Sequence, residues 1–314
     1  MVTVSVIIPC YNRAAMIGDA IASVHAQTRS PLELIVVDDA STDDSADVAE
    51  RAGARVIRLN ENRGNSTARN VGTRVASGDA IAWLDSDDYW EPHHLATVAR
   101  LLDDHNDAAV ANAAVRLVGT RVGTWYGRVP AGPPTIVIRE AFYATVTQLT
   151  TTIVRREALC AVGGFDETER CSVDFDLLLR LARRYRFVSS REVTANYRWH
   201  GAQISTNSET QVRATYRFRR RALDELWRDG EDDLAEELAE IFRQRWAEDL
   251  WGAWDQGQTR WLRQLLALAP VVPEAPRALV WKWAFRSRLP AGTVPFLRAV
   301  GSGGVIDFLR RPSP

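Results

Sequence analysis

The sequence predicts an α/β fold: a mainly parallel, mixed sheet flanked by helices over residues 1–205, then an α-helical C-terminal extension over 206–314. Three observations predict it. Short apolar runs rich in β-branched residues alternate with segments of helical period through the first part of the chain. Carboxylate-rich segments follow several of those runs, at the strand ends where open α/β sheets bind ligands. Beyond about residue 205 the strand signals vanish, and Trp227, Trp246, Trp251, Trp254, Trp261, Trp281 and Trp283 fall among helix-like segments.

Residues 4–8 are an apolar, β-branched run and predict a buried strand that Pro9 stops. Met16, Ile17, Ile21 and Val24 then recur at helical spacing. Residues 32–37 predict a second buried strand. Residues 41–51 open with Ser, Thr and Asp, which can cap a helix N-terminus. A third strand is predicted over 55–59, a helix over 66–76 and a fourth strand over 80–84. Pro92 opens a helix over 92–102, since proline is tolerated in the first turn. A strand follows over 109–118, and the Gly- and Pro-rich stretch 119–134 reads as a loop. Residues 147–154 are strand-like, 156–162 a short helix ended by Gly163 and Gly164, 175–184 a helix and 193–199 a strand. The extension predicts helices over 209–228, 231–254 and 260–268.

Composition narrows the function. The chain has 314 residues, 46 % hydrophobic and 25 % charged, so it can bury a sizeable core. Its net charge of -1 argues against a sequence-independent hold on nucleic acid, which needs a basic surplus. Cys10, Cys160 and Cys171 are too scattered for a disulfide framework or a zinc site, and suit a reducing compartment. The first ten residues show no secretory pattern, and no stretch reaches the roughly 20 apolar residues of a membrane span. A cytoplasmic protein is expected, with attachment at the inner face of the membrane as the alternative placement.

Three constellations carry chemistry. Asp85-Ser86-Asp87-Asp88 sets three carboxylates in four residues after an apolar strand. Their mutual repulsion calls for a cation, and oxygen-only donors suit Mg²⁺ or Mn²⁺. A solvated turn capping the next helix is the competing reading. Asp38-Asp39-Ala40-Ser41-Thr42-Asp43 places a carboxylate pair at another strand end, where it could accept from a base or ribose, or serve as a helix cap. Pro9-Cys10-Tyr11-Asn12-Arg13 offers an aromatic face for base stacking.

In order and spacing these segments resemble the family 2 glycosyltransferases, which have the GT-A (Rossmann-like) fold. Residues 4–13 resemble the family's opening strand and nucleotide loop, and 37–43 its base- and ribose-binding turn. Asn62-Arg63-Gly64 with Ala68-Arg69-Asn70 and Gly72 resembles the segment lining diphosphate and ribose. Leu84-Asp85-Ser86-Asp87-Asp88 resembles the Asp-x-Asp metal motif. Gly163-Gly164-Phe165-Asp166-Glu167 resembles the stretch before the catalytic base, and Asp174-Phe175-Asp176-Leu177 the base motif. Tyr197-Arg198-Trp199-His200 resembles the closing strand. The resemblance covers about residues 2–205 and leaves the tail uncovered.

The resemblance implies transfer of a sugar from a nucleotide-diphosphate sugar, a UDP-sugar by default, to a hydroxyl of a glycan or lipid-linked acceptor, with inversion. It implies Asp174 as general base, with Asp176 its rival and a substrate contact. Asp87 and Asp88 are expected to hold Mg²⁺ or Mn²⁺, with Asp85 on the ribose and His200 on the metal or diphosphate side. Pro9, Tyr11, Asn12 and Asp39 are expected to recognise the donor, with Arg63 and Arg69 near its phosphates. One departure stands out: Val173 occupies the position before the base, where the family usually has Glu. Losing that carboxylate is expected to make Asp174 a somewhat weaker base.

Two rivals compete with the enzyme reading: a sugar-nucleotide-binding scaffold without turnover, supported by Val173, and a sugar-1-phosphate nucleotidyltransferase, opposed by the lack of glycine in the first loop. In the tail, Arg217-Phe218-Arg219-Arg220-Arg221 and the tryptophans fit either a peripheral membrane contact or packing into the tail's own core or a homo-oligomer.

Overall fold

A computed structural model describes residues 1–199, 208–275, 280, 283 and 287. It divides into two compact units, Met1–Thr206 and Asn207–Pro314.

In the first unit the strands and helices are β1 (Val4–Cys10), α1 (Ile17–His25), β2 (Glu33–Asp38), α2 (Ser45–Arg51), β3 (Arg55–Arg58), α3 (Asn65–Val75), β4 (Ala80–Trp83), β5 (Tyr89–Trp90), α4 (His94–Asp104), β6 (Ala108–Gly119), β7 (Gly123–Trp125), α5 (Ile138–Tyr143), β8 (Thr152–Arg155), α6 (Arg156–Ala161), α7 (Val173–Arg184) and β9 (Arg186–Trp199). They form one sheet of order β3-β2-β1-β4-β8-β6-β9-β5, with β7 paired to β6. The β1–β4 block is parallel. β8 then runs antiparallel between β4 and β6, and β6 pairs parallel with β9. This is the α/β fold expected, with helices on both faces.

β1 and β4 lie at the centre, and every residue of both is buried. Their continuous apolar runs follow from that two-sided burial. Along β1, Val6 and Ile8 join a core with Ile17, Ile21, Leu95 and Val98 of α1 and α4. Ile7 points the other way, against α3. There Gly72 lets the backbones approach, since a Cβ would stand 2.6 Å from Ile7 Cγ2.

Pro9 does not stop β1; the strand runs on to Cys10, with Pro9 opposite Val37. The Ile7 carbonyl accepts from Leu84 on the β4 side, so Pro9, two residues on, turns its missing N–H to the same side. β1 pairs with β4 only through Ile7, so no ladder bond is lost there. Four short elements went unread in the sequence. β5, β7 and α5 are too short for a period to register. The stretch 147–154 splits into a 3₁₀ turn, Leu149–Thr151, before β8.

The second unit holds α8 (Ser208–Arg228), α9 (Asp232–Asp255) and α10 (Thr259–Leu266). Trp246 is fully buried and donates from Nε1 to the Leu265 carbonyl at 2.9 Å. Trp254 and Trp283 are also buried, while Trp251 is exposed. Arg219, from the basic run, is buried over Tyr216 and Phe242, and burial lowers its pKa to about 10. Part of the Arg-Trp signature is therefore core packing. Trp281 lies outside the described residues. No helix among the described residues is long and apolar enough to cross a membrane.

Candidate active site

The carboxyl ends of β1, β2 and β4 carry adjoining loops. The first two are stitched together. Asn12 adopts a left-handed conformation (φ 51°). Its amide donates to Ser41 Oγ at 3.0 Å, and its Oδ1 accepts from the Thr42 amide at 2.8 Å. The Arg13 amide donates to Ser45 Oγ at 2.7 Å. Ala40 at the β2 turn is left-handed too (φ 60°). Asn12 thus shapes the two loops from within, while Tyr11 is 41 % exposed. Pro9 is buried in β1 and can act only through that backbone. Burial raises the Cys10 thiol to about 12, so it supplies no thiolate at neutral pH.

Asp39 is buried, and its two oxygens accept from the Arg63 and Gly64 amides, each at 2.7 Å. It fastens the 62–64 turn to the end of β2. The Arg63 side chain is half-exposed and reaches Glu167 Oε2 at 3.5 Å.

At the end of β4 the tetrad divides by burial. Asp85 is partly exposed, and its Oδ1 accepts from Arg69 Nη2 at 2.6 Å. Asp87 lies 3.5 Å from Arg13 Nε. Asp88 is buried beneath them: Oδ1 accepts from the Arg198 amide at 2.9 Å, Oδ2 meets no donor at ordinary hydrogen-bond geometry, and the Thr150 hydroxyl also bears on the carboxyl. Burial, reinforced by Asp85 and Asp87, holds the Asp88 carboxyl well above the usual range. A divalent cation fits this arrangement. The donors are all oxygen, their charges repel, and one buried oxygen is orphaned. Among the described residues no three His, Cys, Asp or Glu side chains converge closely enough to hold a metal by themselves. Water or phosphate oxygens would have to complete the shell, as Mg²⁺ commonly requires. His200 lies outside the described residues.

The loop before α7 is bound to α3. Asn70 donates from Nδ2 to the Phe165 carbonyl at 2.8 Å and accepts from the Phe165 amide at 2.9 Å. Glu167 accepts from Thr67 Oγ1 at 2.9 Å and Asn70 Nδ2 at 3.0 Å, with Arg74 also in reach. These bonds, that from Asn70 foremost, hold its carboxyl below the usual range against some opposing burial. Gly164 is left-handed (φ +68°), and a Cβ there would meet Asn70 Oδ1 at 2.7 Å.

Asp174 stands in the first turn of α7. Burial raises its carboxyl; Arg69 and the Phe175 amide offset part of the rise, and Asp85 adds to it. The loss of a neighbouring Glu is thus not what governs this carboxyl: Val173 is buried, and desolvation pushes the group up. Asp176, expected to touch substrate, is a correction. It is buried, and its Oδ2 accepts from Arg180 Nε at 3.0 Å and Nη2 at 2.7 Å. Arg180 in turn donates to the Val162 and Gly164 carbonyls. The pair anchors α7 to the preceding turn.

The structure therefore gathers Tyr11, Asn12, Asp39, Arg63, Arg69, Asp85, Asp87, Asp88 and Asp174 about the carboxyl ends of the central strands, and takes Asp176 out. Arg13 and Phe165 were missed as site residues. Both stand inside motifs the sequence displays, Arg13 in the first loop and Phe165 in the stretch before Asp174, but no residue pattern shows that the Phe165 ring lies 5.3 Å from the Arg69 guanidinium carbon.

The profile of glycosyl transferase family 2 matches residues 5–162, and that of a glycosyltransferase-like family 2 matches 134–264. The chain belongs to glycosyl transferase family 2, and it is a glycosyltransferase; the nucleotidyltransferase alternative falls away. An uncharacterized glycosyltransferase of Nostoc is 42 % identical over 103 residues, 31 % of this chain and 32 % of that protein. A putative teichuronic acid biosynthesis glycosyltransferase, TuaG of Bacillus subtilis, is 28 % identical over 68 % of this chain and 85 % of its own. The fold is shared with S. aureus TarS 1-349 in complex with UDP-GlcNAc, at TM-score 0.71 and 21 % identity, covering 91 % of this chain and 88 % of that one.

Proposed function

We propose that the protein transfers a sugar from a nucleotide-diphosphate donor, a UDP-sugar, to a hydroxyl of a glycan or lipid-linked acceptor, by a single inverting displacement. The observation that carries this reading is the electrostatic neighbourhood of Asp174, which includes Asp85 and Arg69 from distant parts of the chain. A donor-side carboxylate thus bears on a candidate base. The UDP-GlcNAc complex of TarS and the teichuronic acid name of TuaG support the donor and acceptor classes.

In this reading residues 1–205 form the catalytic domain and 206–314 a helical extension. Tyr11 stacks on the base, and the loops pinned by Asn12 and Asp39 shape the nucleotide pocket. Asp85 accepts from ribose hydroxyls. Asp87, with the orphaned oxygen of Asp88 behind it, would hold Mg²⁺ or Mn²⁺, and His200 is assigned to the same side. When bound, that ion neutralises charge developing on the leaving diphosphate. Asp174 takes the proton of the acceptor hydroxyl as it attacks the anomeric carbon, and its raised carboxyl strengthens it for that task. The site would work at the cytoplasmic face of the membrane, where a lipid-linked acceptor is presented.

The test is thermal stability against UDP, GDP, dTDP and CMP, with and without Mn²⁺. UDP with Mn²⁺ should raise the melting temperature, since ligand at 100 times its dissociation constant adds about 2.7 kcal/mol. No shift with any nucleotide would overturn the donor-site reading. Binding without turnover of any donor would leave the inert scaffold.

A further inference from the structure

We propose that Arg69 is a positioning residue shared by both halves of the reaction: its one guanidinium fixes Asp85 on the donor side and braces the Phe165 loop that leads into α7, whose first turn carries Asp174. The inference rests on the roles proposed above for Asp85 and Asp174. It replaces the expectation that Arg69 contacts the donor phosphates.

The geometry sets Arg69 apart from a phosphate ligand. It is only 5 % exposed, and Nη2 is bound to Asp85 Oδ1 at 2.6 Å. Its guanidinium carbon stands 5.3 Å from the Phe165 ring centroid. That ring meets Trp83, the last residue of β4, edge-on at 5.3 Å. Phe165 is bonded through both backbone groups to Asn70, the residue after Arg69. One side chain from α3 thus ties together the end of β4, the tetrad and the loop before α7. Arg69 Nε is buried with no hydrogen-bond partner, a cost that a residue serving packing alone could shed.

Asp174 completes the argument. It stands in the first turn of α7, the helix that the Phe165 loop leads into, and after burial itself Arg69 and Asp85 are among the groups that bear on its carboxyl. One guanidinium therefore joins the donor-side Asp85 to the loop that sets the start of α7, so a donor that engages Asp85 is felt through Arg69 where Asp174 is held.

The test compares Arg69→Met, Arg69→Lys and Asp85→Asn with wild type. UDP binding with Mn²⁺ is titrated, and UDP release from UDP-GlcNAc is followed against pH. If wild type fails to bind UDP, the donor reading itself falls and takes this inference with it; a wild type that binds and turns over confines any failure to Arg69. The inference expects Arg69→Met to lower kcat on the order of tenfold beyond any change in KM. It should also move the acid limb of kcat/KM to higher pH, because a cation favouring the ionised base is gone. Arg69→Lys should return the limb towards wild type without restoring kcat, since charge remains but the planar fork does not. Should Arg69→Met not fold, Asp85→Asn should move the limb down, by removing the opposing carboxylate. A raised donor KM with kcat and limb unchanged would make Arg69 a phosphate ligand and overturn the inference, as would an unmoved limb in Asp85→Asn.

Discussion

Asp174 and Asp176 are two residues apart, yet their environments give them different work. Asp176 is ion-paired in the core, while Asp174 is raised by burial and faces Arg69 and Asp85. Asp174→Asn should therefore reduce turnover by about 100- to 10,000-fold, the range of a lost general base, and leave UDP affinity nearly unchanged. The pH profile follows with its sign. A base acts when ionised, so activity is full above the raised pKa and is lost as pH falls through it. The acid limb should lie above the ordinary Asp value of about 3.9. Steady-state rates across pH check both. At Ala40 the strain is in the backbone: φ is 60° where an L side chain crowds its own carbonyl. Ala40→Gly should stabilise the protein by about 1 kcal/mol, read as a higher melting temperature. An unchanged or lower value would mean that the added chain entropy of glycine outweighs the relief.

Among the elements, α7 and the loop before it depend on two polar anchors. Arg180→Met removes the cation that holds the buried Asp176, and should destabilise the first unit by about 3–5 kcal/mol in urea unfolding. A loss below 1 kcal/mol would show that water reaches Asp176 and that the pair does not anchor the helix. Glu167 is the second anchor. Its carboxyl is held below the usual value, so its contribution is full above the unfolded pKa of about 4.3 and is lost as pH falls towards the folded one. It is partly exposed, so the effect is local. Amide exchange at the loop around Phe165 should quicken, relative to its intrinsic rate, as pH falls below about 4.3. Glu167→Gln should quicken it at pH 7.

For the whole molecule, the two units differ in how far the sequence reaches. In the first, alternating periods were legible because two-sided burial writes continuous apolar runs into β1, β2 and β4. β5, β7 and α5 were not, since they span less than a period or two and owe their form to neighbours. In the second, the helices were legible, but the placing of each Trp and Arg was not. Trp246, Trp254 and Trp283 are buried, so anionic phospholipid vesicles should leave the emission of these tryptophans unmoved. A large blue shift would instead assign the tail to the membrane interface.

The sequence alone determined the class of fold, the family and most of the carboxylates that chemistry needs, because those depend on residue type, order and period. It could not decide which carboxylate faces a ligand. Asp87 and Asp88 are adjacent, as Asp38 and Asp39 are. Only the packing of β9 over the tetrad puts Asp88 under cover, with the Arg198 amide on one oxygen. Nor could it bring Arg69 to Asp85 and Asp174, which lie 16 and 105 positions away in the chain. Burial and through-space charge are properties of the folded assembly, and they determine what each acid does.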